Sequence, residues 1–284
     1  MTSPRPPGPT AGVMMPAGQP KAARVNPGFD ASEPNMARVY DYWRGGKEHF
    51  AADRDQARRL LRIYPPLTAM VRENRAFLAQ AITWTASQGT SQFIDLGAGL
   101  PAAQNTHEMA RAVNPAARVA YVDTDPVVLA HAWALLATSA GVAAAAADLR
   151  DPAAVMADPE LRAVIDPAEP MAIILGAVLH FLDAGIARQV TAEYARLMPP
   201  GSYLVISVAC YDDETLGKQL AAEYTTAPFY NHAPADILSF FAGLEMAGPG
   251  LAEAQTWRAW MPEPVLRRRQ GHVHWRSVEY AGVV

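Results

Sequence analysis

Gln92-Phe-Ile-Asp95-Leu-Gly97-Ala98-Gly99-Leu-Pro101 decides the fold. Phe93, Ile94 and Leu96 make a short buried strand, and Gly97-x-Gly99 follows at once. Glycines here permit positive φ and let a ligand approach the backbone with no Cβ in the way. A helical stretch near Gln104–Val113 comes next, and then further short apolar runs alternate with helical ones. The strand runs are Arg118–Val122, Val142–Ala147, Met171–Leu175 and Tyr203–Val208; the helical ones lie near Pro126–Ala140, Pro152–Ile165 and Ala184–Met198. That alternation predicts an α/β protein, a parallel sheet with helices on both faces and right-handed connections. Leu244–Gly248, Thr256–Met261 and His272–Tyr280 read as strand-like pieces, the last two closing the sheet edge as an antiparallel hairpin, with Arg267-Arg268-Arg269 in its loop.

The rest of the chain sets bounds on this sheet. Its 284 residues fit one large domain or two small ones. Half are hydrophobic and 18% charged, which supports a buried core. The net charge of -4 lacks the basic balance that phosphate backbones attract. The longest apolar stretch, Met171 to Leu179, falls short of the ~20 residues of a membrane helix. One cysteine, Cys210, excludes an internal disulfide framework and a cysteine-rich zinc site. With no basic-then-apolar leader pattern, the expectation is a cytoplasmic protein without metal, acting as monomer or homodimer away from membrane and nucleic acid. Three segments follow: a tail at 1–29 with seven prolines, four glycines and no acid, expected to be disordered; a helical cover at 30–88; and the sheet domain at 89–284.

Open α/β sheets bind ligands beyond the carboxyl ends of their strands, so the glycine turn is where a nucleotide-like ligand should sit. Gly97-Ala98-Gly99-Leu-Pro-Ala102 also fits the dinucleotide fingerprint G-x-G-x-x-A, which keeps an NAD(P)-dependent oxidoreductase open. Three features pull away from it. Asp95 would face a pyrophosphate, Pro101 delays the helix, and a second acid, Asp148, ends the third strand where an adenine amino group is read. Asp123 ends the second strand. It reads either as acceptor for both ribose hydroxyls or as a helix cap, while Asp125-Pro126 reads as cap and first turn.

Asp95-Leu-Gly97-Ala-Gly99, Asp123 and Asp148, in that order and spacing, resemble the class I S-adenosylmethionine-dependent methyltransferases. More narrowly, the chain from about residue 30 onward is similar to the actinobacterial S-adenosyl methyltransferase family long catalogued as a domain of unknown function. That similarity rests on Ala37-Arg-Val-Tyr40-Asp41-Tyr42 with Gly45-Gly46-Lys47, Phe50-Ala-Ala-Asp53-Arg54, and Asn74-Arg75-Ala-Phe77-Leu78. It continues through Gly99-Leu-Pro101, Asn105, His107-Glu108 and Tyr121-Val-Asp123-Thr124-Asp125-Pro126 to His131. The chain departs from that family's pattern at Arg44, Glu48 and His49.

The resemblance implies a Rossmann-like sheet of seven strands, the last antiparallel, with S-adenosyl-L-methionine across the first, second and fourth strand ends. Gly97 and Gly99, with Ala98 between them, would approach its amino-acid and ribose portions. Asp123, with Thr124 beside it, would hold the ribose; Asp148 and the Leu149 backbone would read the adenine. Gly176 would offer its carbonyl to the methionyl ammonium, and Arg75 is the candidate for the carboxylate, a guanidinium fork suiting it. Asp95, Asn105 and His107 complete the cofactor set with Tyr40, Gly46 and Lys47, and Tyr40, Tyr42, Gly45, Gly46 and Lys47 would fold over the cofactor as a lid. Gly45-Gly46 also reads as a plain helix stop, and Tyr40 and Trp43 as core.

Methyl transfer needs alignment and a dry pocket more than a catalytic dyad. His180 is the one candidate general base, with a structural histidine as the competing reading. Tyr42, His180, Tyr211 and Tyr230 are candidate walls of the acceptor pocket, whose aromatics suit a flat apolar molecule or simply core packing. Leu175-Gly176-Ala177-Val178 lacks the Asn-Pro-Pro-aromatic clamp of DNA amino methylases, which leaves a small-molecule acceptor. A non-catalytic binding module on the same fold is the alternative.

Overall fold

A computed structural model describes residues 30–260 and 278–283. The tail at 1–29, Arg267-Arg268-Arg269 and the start of the last strand-like piece lie outside them.

Three helices form the cover: α1 (Met36–Arg44), α2 (Ala51–Ile63) and α3 (Leu67–Ser87). Asn35 caps α1 through its side-chain oxygen, and Gly45 ends it in the left-handed region at φ 84°. After α3 come β1 (Gln92–Leu96), α4 (Thr106–Arg111), β2 (Arg118–Asp123), α5 (Pro126–His131), β3 (Val142–Ala146), α6 (Pro152–Ala157) and α7 (Pro159–Arg162). The second half holds β4 (Ala172–Gly176), α8 (Ala184–Leu197), β5 (Tyr203–Cys210), α9 (Glu214–Glu223), α10 (Pro234–Ser239), β6 (Ala252–Glu253), α11 (Ala254–Trp260) and β7 (Val278–Val283).

Five strands pair in parallel in the order β3-β2-β1-β4-β5, the expected α/β sheet. At the β5 edge, β7 pairs antiparallel with β5, and the two-residue β6 with β7. The order reverses at β1–β4, so a crevice opens at the carboxyl ends of those two strands. Strand side chains alternate between two cores. Phe93 and Val119 point toward α3, α4 and α11, where Phe77 and Trp257 are fully buried; Ile94, Leu96 and Val122 point toward α6 and α8.

Three sequence expectations are corrected. Of the strand expected over Thr256–Met261, Thr256–Trp260 is helical, because Trp257 and Trp260 fall on one helical face and pack at 5.4 Å inside α11; Met261 lies outside the described residues. Leu244–Gly248 is irregular rather than a strand, bending at Leu244 and turning at Gly248, which holds φ 54°. The helix expected over Pro126–Ala140 passes into a single π turn at Ala132–Leu136, where Trp133 Nε1 donates to the Ala144 carbonyl at 2.9 Å.

Candidate cofactor and acceptor site

A cavity of about 720 Å³ opens at the carboxyl ends of β1, β2, β3 and β4, roofed by α1 and α3. The glycine turn forms its floor. Gly97 and Gly99 hold φ of 67° and 65°, in the region only glycine enters without strain. A Cβ on Gly97 would stand 2.5 Å from Val178 Cγ1, whereas one on Gly99 would meet nothing within 4 Å.

Asp123 is tied to this turn. One carboxylate oxygen accepts from the Gly99 amide at 2.9 Å; the other accepts from the amides of Thr124 and Asp125 at 2.8 and 2.9 Å. A carboxylate has about four acceptor positions, so capacity is left for a ligand hydroxyl. Burial pushes the pKa of Asp123 upward against the pull of those amides. The helix-cap reading of Asp123 is corrected: the cap of α5 is Asp125, whose side chain accepts from the amides of Val127 and Val128. Asp95 also lines the cavity and accepts from Thr106 Oγ1 at 2.5 Å. Burial raises its pKa to about 6, opposed by the Thr106 hydroxyl and then by the charge of Arg75. Arg75 lines the same wall and donates to the Gln104 carbonyl at 2.6 Å. Asp148 is gripped by Arg150, whose Nε donates to it at 2.9 Å, and that bond holds its pKa low.

Ala98, Thr124, Leu149, Gly176, Tyr40, His180 and Tyr211 complete the expected residues that the cavity gathers. Six others lie off its wall. Asn105 and His107 border a second cavity of about 310 Å³ on the far side of the turn. There His107 Nδ1 pairs with the Tyr121 hydroxyl at 2.8 Å, which supports strand β2 rather than a ligand. Gly46 is where α1 turns: its amide donates to the Asp41 carbonyl at 2.8 Å, and its bare Cα packs on the Asp41 carboxylate. Lys47 is exposed. Tyr42 packs edge-on to His49 at 5.2 Å, and Tyr230, 39% exposed, stacks on His232.

His180 faces the cavity with its chemistry reversed. The Ala209 amide donates to its Nδ1 at 3.3 Å, so the neutral ring carries its proton on Nε2. Burial, with His232 nearby, depresses its pKa to about 3. Of the two readings of His180, the backbone bond to Nδ1 favours the hydrogen-bonded structural histidine over the general base.

The sequence reading gave no role to three further features. Arg44 reaches from α1 to the turn, donating to the carbonyls of Leu100 at 3.1 Å and Pro101 at 2.8 Å, while pairing with buried Asp41. Buried Asn74 accepts from Ser207 Oγ at 2.8 Å and donates to the Tyr40 hydroxyl at 3.0 Å, a chain that crosses from roof to β5. Its sequence signal was one amide within the apolar stripe of α3. Ala177 holds φ 56°, an uncommon conformation for alanine, fixed by its amide donating to the carbonyl and hydroxyl of Ser207. Among the described residues no group of acids, histidines and cysteine could hold a metal ion.

A family model described as S-adenosyl methyltransferase matches residues 22–284. The chain belongs to this family. A solved structure of a candidate methyltransferase from Thermobifida fusca is 36% identical, with a TM-score of 0.80 over 92% of this chain and 98% of its own. A member of the family DUF574 from Streptomyces avermitilis is 32% identical, with a TM-score of 0.79 over 89% and 98%. No curated protein matches the chain. Among the described residues, this family member has no helix long and apolar enough to cross a membrane.

Proposed function

We propose that this chain binds S-adenosyl-L-methionine and aligns it for in-line methyl transfer to a small-molecule acceptor. The observation that carries the reading is the Asp123–Gly99 bond, which locks an acceptor-rich carboxylate to a glycine turn at the switch in strand order. The residues present fit the cofactor. The floor is bare of Cβ atoms at Gly99, Asp95 offers a carboxylate to a cationic amino-acid end, and Arg75 offers a guanidinium to its carboxylate. Asp148 would exchange part of its bond to Arg150 for the adenine amino group. The antiparallel pairing at the β5 edge is taken as the close of the seven-stranded sheet that the resemblance implies.

When bound, S-adenosyl-L-methionine supplies an activated methyl group, so the protein's task is placement and exclusion of water. Leu78, Val178 and Phe181 supply apolar wall, and water kept from the cavity leaves its hydrogen bonds unscreened. His180 contributes an N–H to the acceptor and removes no proton.

Calorimetry with S-adenosylmethionine and S-adenosylhomocysteine tests the reading. Micromolar binding is expected, weakened roughly 100-fold in Asp123→Ala by the loss of two charge-assisted bonds at about 1.5 kcal/mol each. Absence of binding to either compound defeats it, and binding of NADH in their place would favour an oxidoreductase.

A further inference from the structure

The acceptor end of the cavity differs in kind from the cofactor end. The acids and bases on the wall belong to α1, α3 and the ends of β1, β2 and β3. From β4 onward the described wall contains no Asp, Glu, Lys or Arg. It contains rings instead. His180 meets Phe181 at 4.4 Å, Phe181 meets Tyr224 at 6.0 Å, Tyr224 stacks on Phe229 at 4.9 Å and 8°, and Phe229 returns to His180 at 5.4 Å. These four rings close on one another, with Phe229 backing the three that line the cavity. Leu67, Met70 and Val71 cover them from the roof.

Two polar groups interrupt this surface. His180 Nε2 carries a proton, because Nδ1 is taken by the Ala209 amide, and it meets no acceptor among the described residues. The Tyr224 hydroxyl likewise has no partner among them, and burial alone raises its pKa, so it stays un-ionised. Neither atom is among the buried groups left without a partner, so both are open to the cavity, where they offer a donor and a hydroxyl to an oxygen of the ligand.

We infer that the acceptor is an uncharged, flat aromatic molecule whose oxygen is held by His180 Nε2–H and the Tyr224 hydroxyl. This rests on the methyl-transfer reading and names the substrate class for that site. An ionised acceptor would lose its hydration in the chamber and find no counter-charge.

The test uses full-length protein saturated with S-adenosylhomocysteine and three probes of one shape: 2-naphthol, 2-naphthoate and 2-naphthylmethylammonium. 2-Naphthol is expected to bind at least tenfold more tightly than either ion. Tyr224→Phe should weaken 2-naphthol roughly fivefold, the worth of one hydrogen bond, with S-adenosylhomocysteine binding retained as the sign of a folded variant. If that variant does not fold, the ranking of the three probes on the native chain decides alone. Equal or tighter binding of either ion, or no binding of 2-naphthol, overturns the inference. Failure of S-adenosylhomocysteine itself to bind overturns the methyl-transfer reading instead.

Discussion

The Arg44 guanidinium donates to the Pro101 carbonyl at 2.8 Å, joining the first helix of the cover to the glycine turn 57 residues later. The bond fastens roof to floor at the cofactor end. Arg44→Met should remove it, with the bond to Leu100, and leave the Asp41 carboxylate buried without its cation. A loss of about 2 to 3 kcal/mol is expected in urea denaturation. S-Adenosylhomocysteine should also dissociate faster by stopped flow. Native values for both would show that the clasp carries no energy.

The two glycines of the turn should differ in their tolerance. Gly97→Ala meets both the left-handed φ and Val178 at 2.5 Å, whereas Gly99→Ala meets only its φ. Gly99→Ala should cost about 1 kcal/mol and Gly97→Ala roughly 2 to 4 kcal/mol, since overpacking adds to strain. Denaturant midpoints of the two variants measure the difference; equal values would contradict the packing described around Val178.

Asn74 and Ser207 form a buried pair 133 residues apart in sequence. Removing one partner strands the other, so Asn74→Ala and Ser207→Ala should each cost about 1 to 3 kcal/mol. The double variant should lose less than the sum, by roughly 0.5 to 3 kcal/mol. Strict additivity in a double-mutant cycle would mean that roof and β5 are not joined through this bond.

Asp95 gives a pH dependence of known sign. Its folded pKa, about 6, lies above its ordinary value of 3.8, so the protonated form is favoured in the folded chain. That stabilisation is complete below pH 3.8 and is lost as the pH rises through 6. Relative to Asp95→Asn, the native chain should lose about 2 kcal/mol between pH 4 and pH 7, because each pH unit separating the folded and unfolded values is worth ~1.4 kcal/mol and part of the loss precedes pH 4. A cationic ligand favours the ionised form, so S-adenosylmethionine should bind more tightly at pH 7 than at pH 5, with a flatter profile in Asp95→Asn. Parallel stability curves for the two proteins would refute the assignment.

The parallel strands were legible because strands buried on both faces read as continuous apolar runs, as in Ala172–Leu175. The glycine turn and its acids were legible because strand ends in such a sheet converge on one edge. Thr256–Met261 misled because a short run rich in tryptophan suits either period, and only Phe77, 6.2 Å from Trp257, shows which face is buried. Lys47, Tyr42 and Tyr230 were assigned by nearness in sequence, but the side each presents depends on how α1 and the β5 loops pack. Arg44 stood out only as a departure from a pattern, and its partners are backbone carbonyls, which leave no trace in side-chain identity.

The cover is also bonded to a segment far along the chain. Gln56 Nε2 donates to the Glu223 carbonyl across 167 residues, and Arg59 pairs with the Glu223 carboxylate across 164. During synthesis the roof leaves the ribosome well before the segment that completes it, and long loops must close before those contacts form. The contacts that complete the chamber therefore close loops of high sequence separation. A chain ended before Glu223 would present the underside of its first helices to solvent as a surface prone to aggregation.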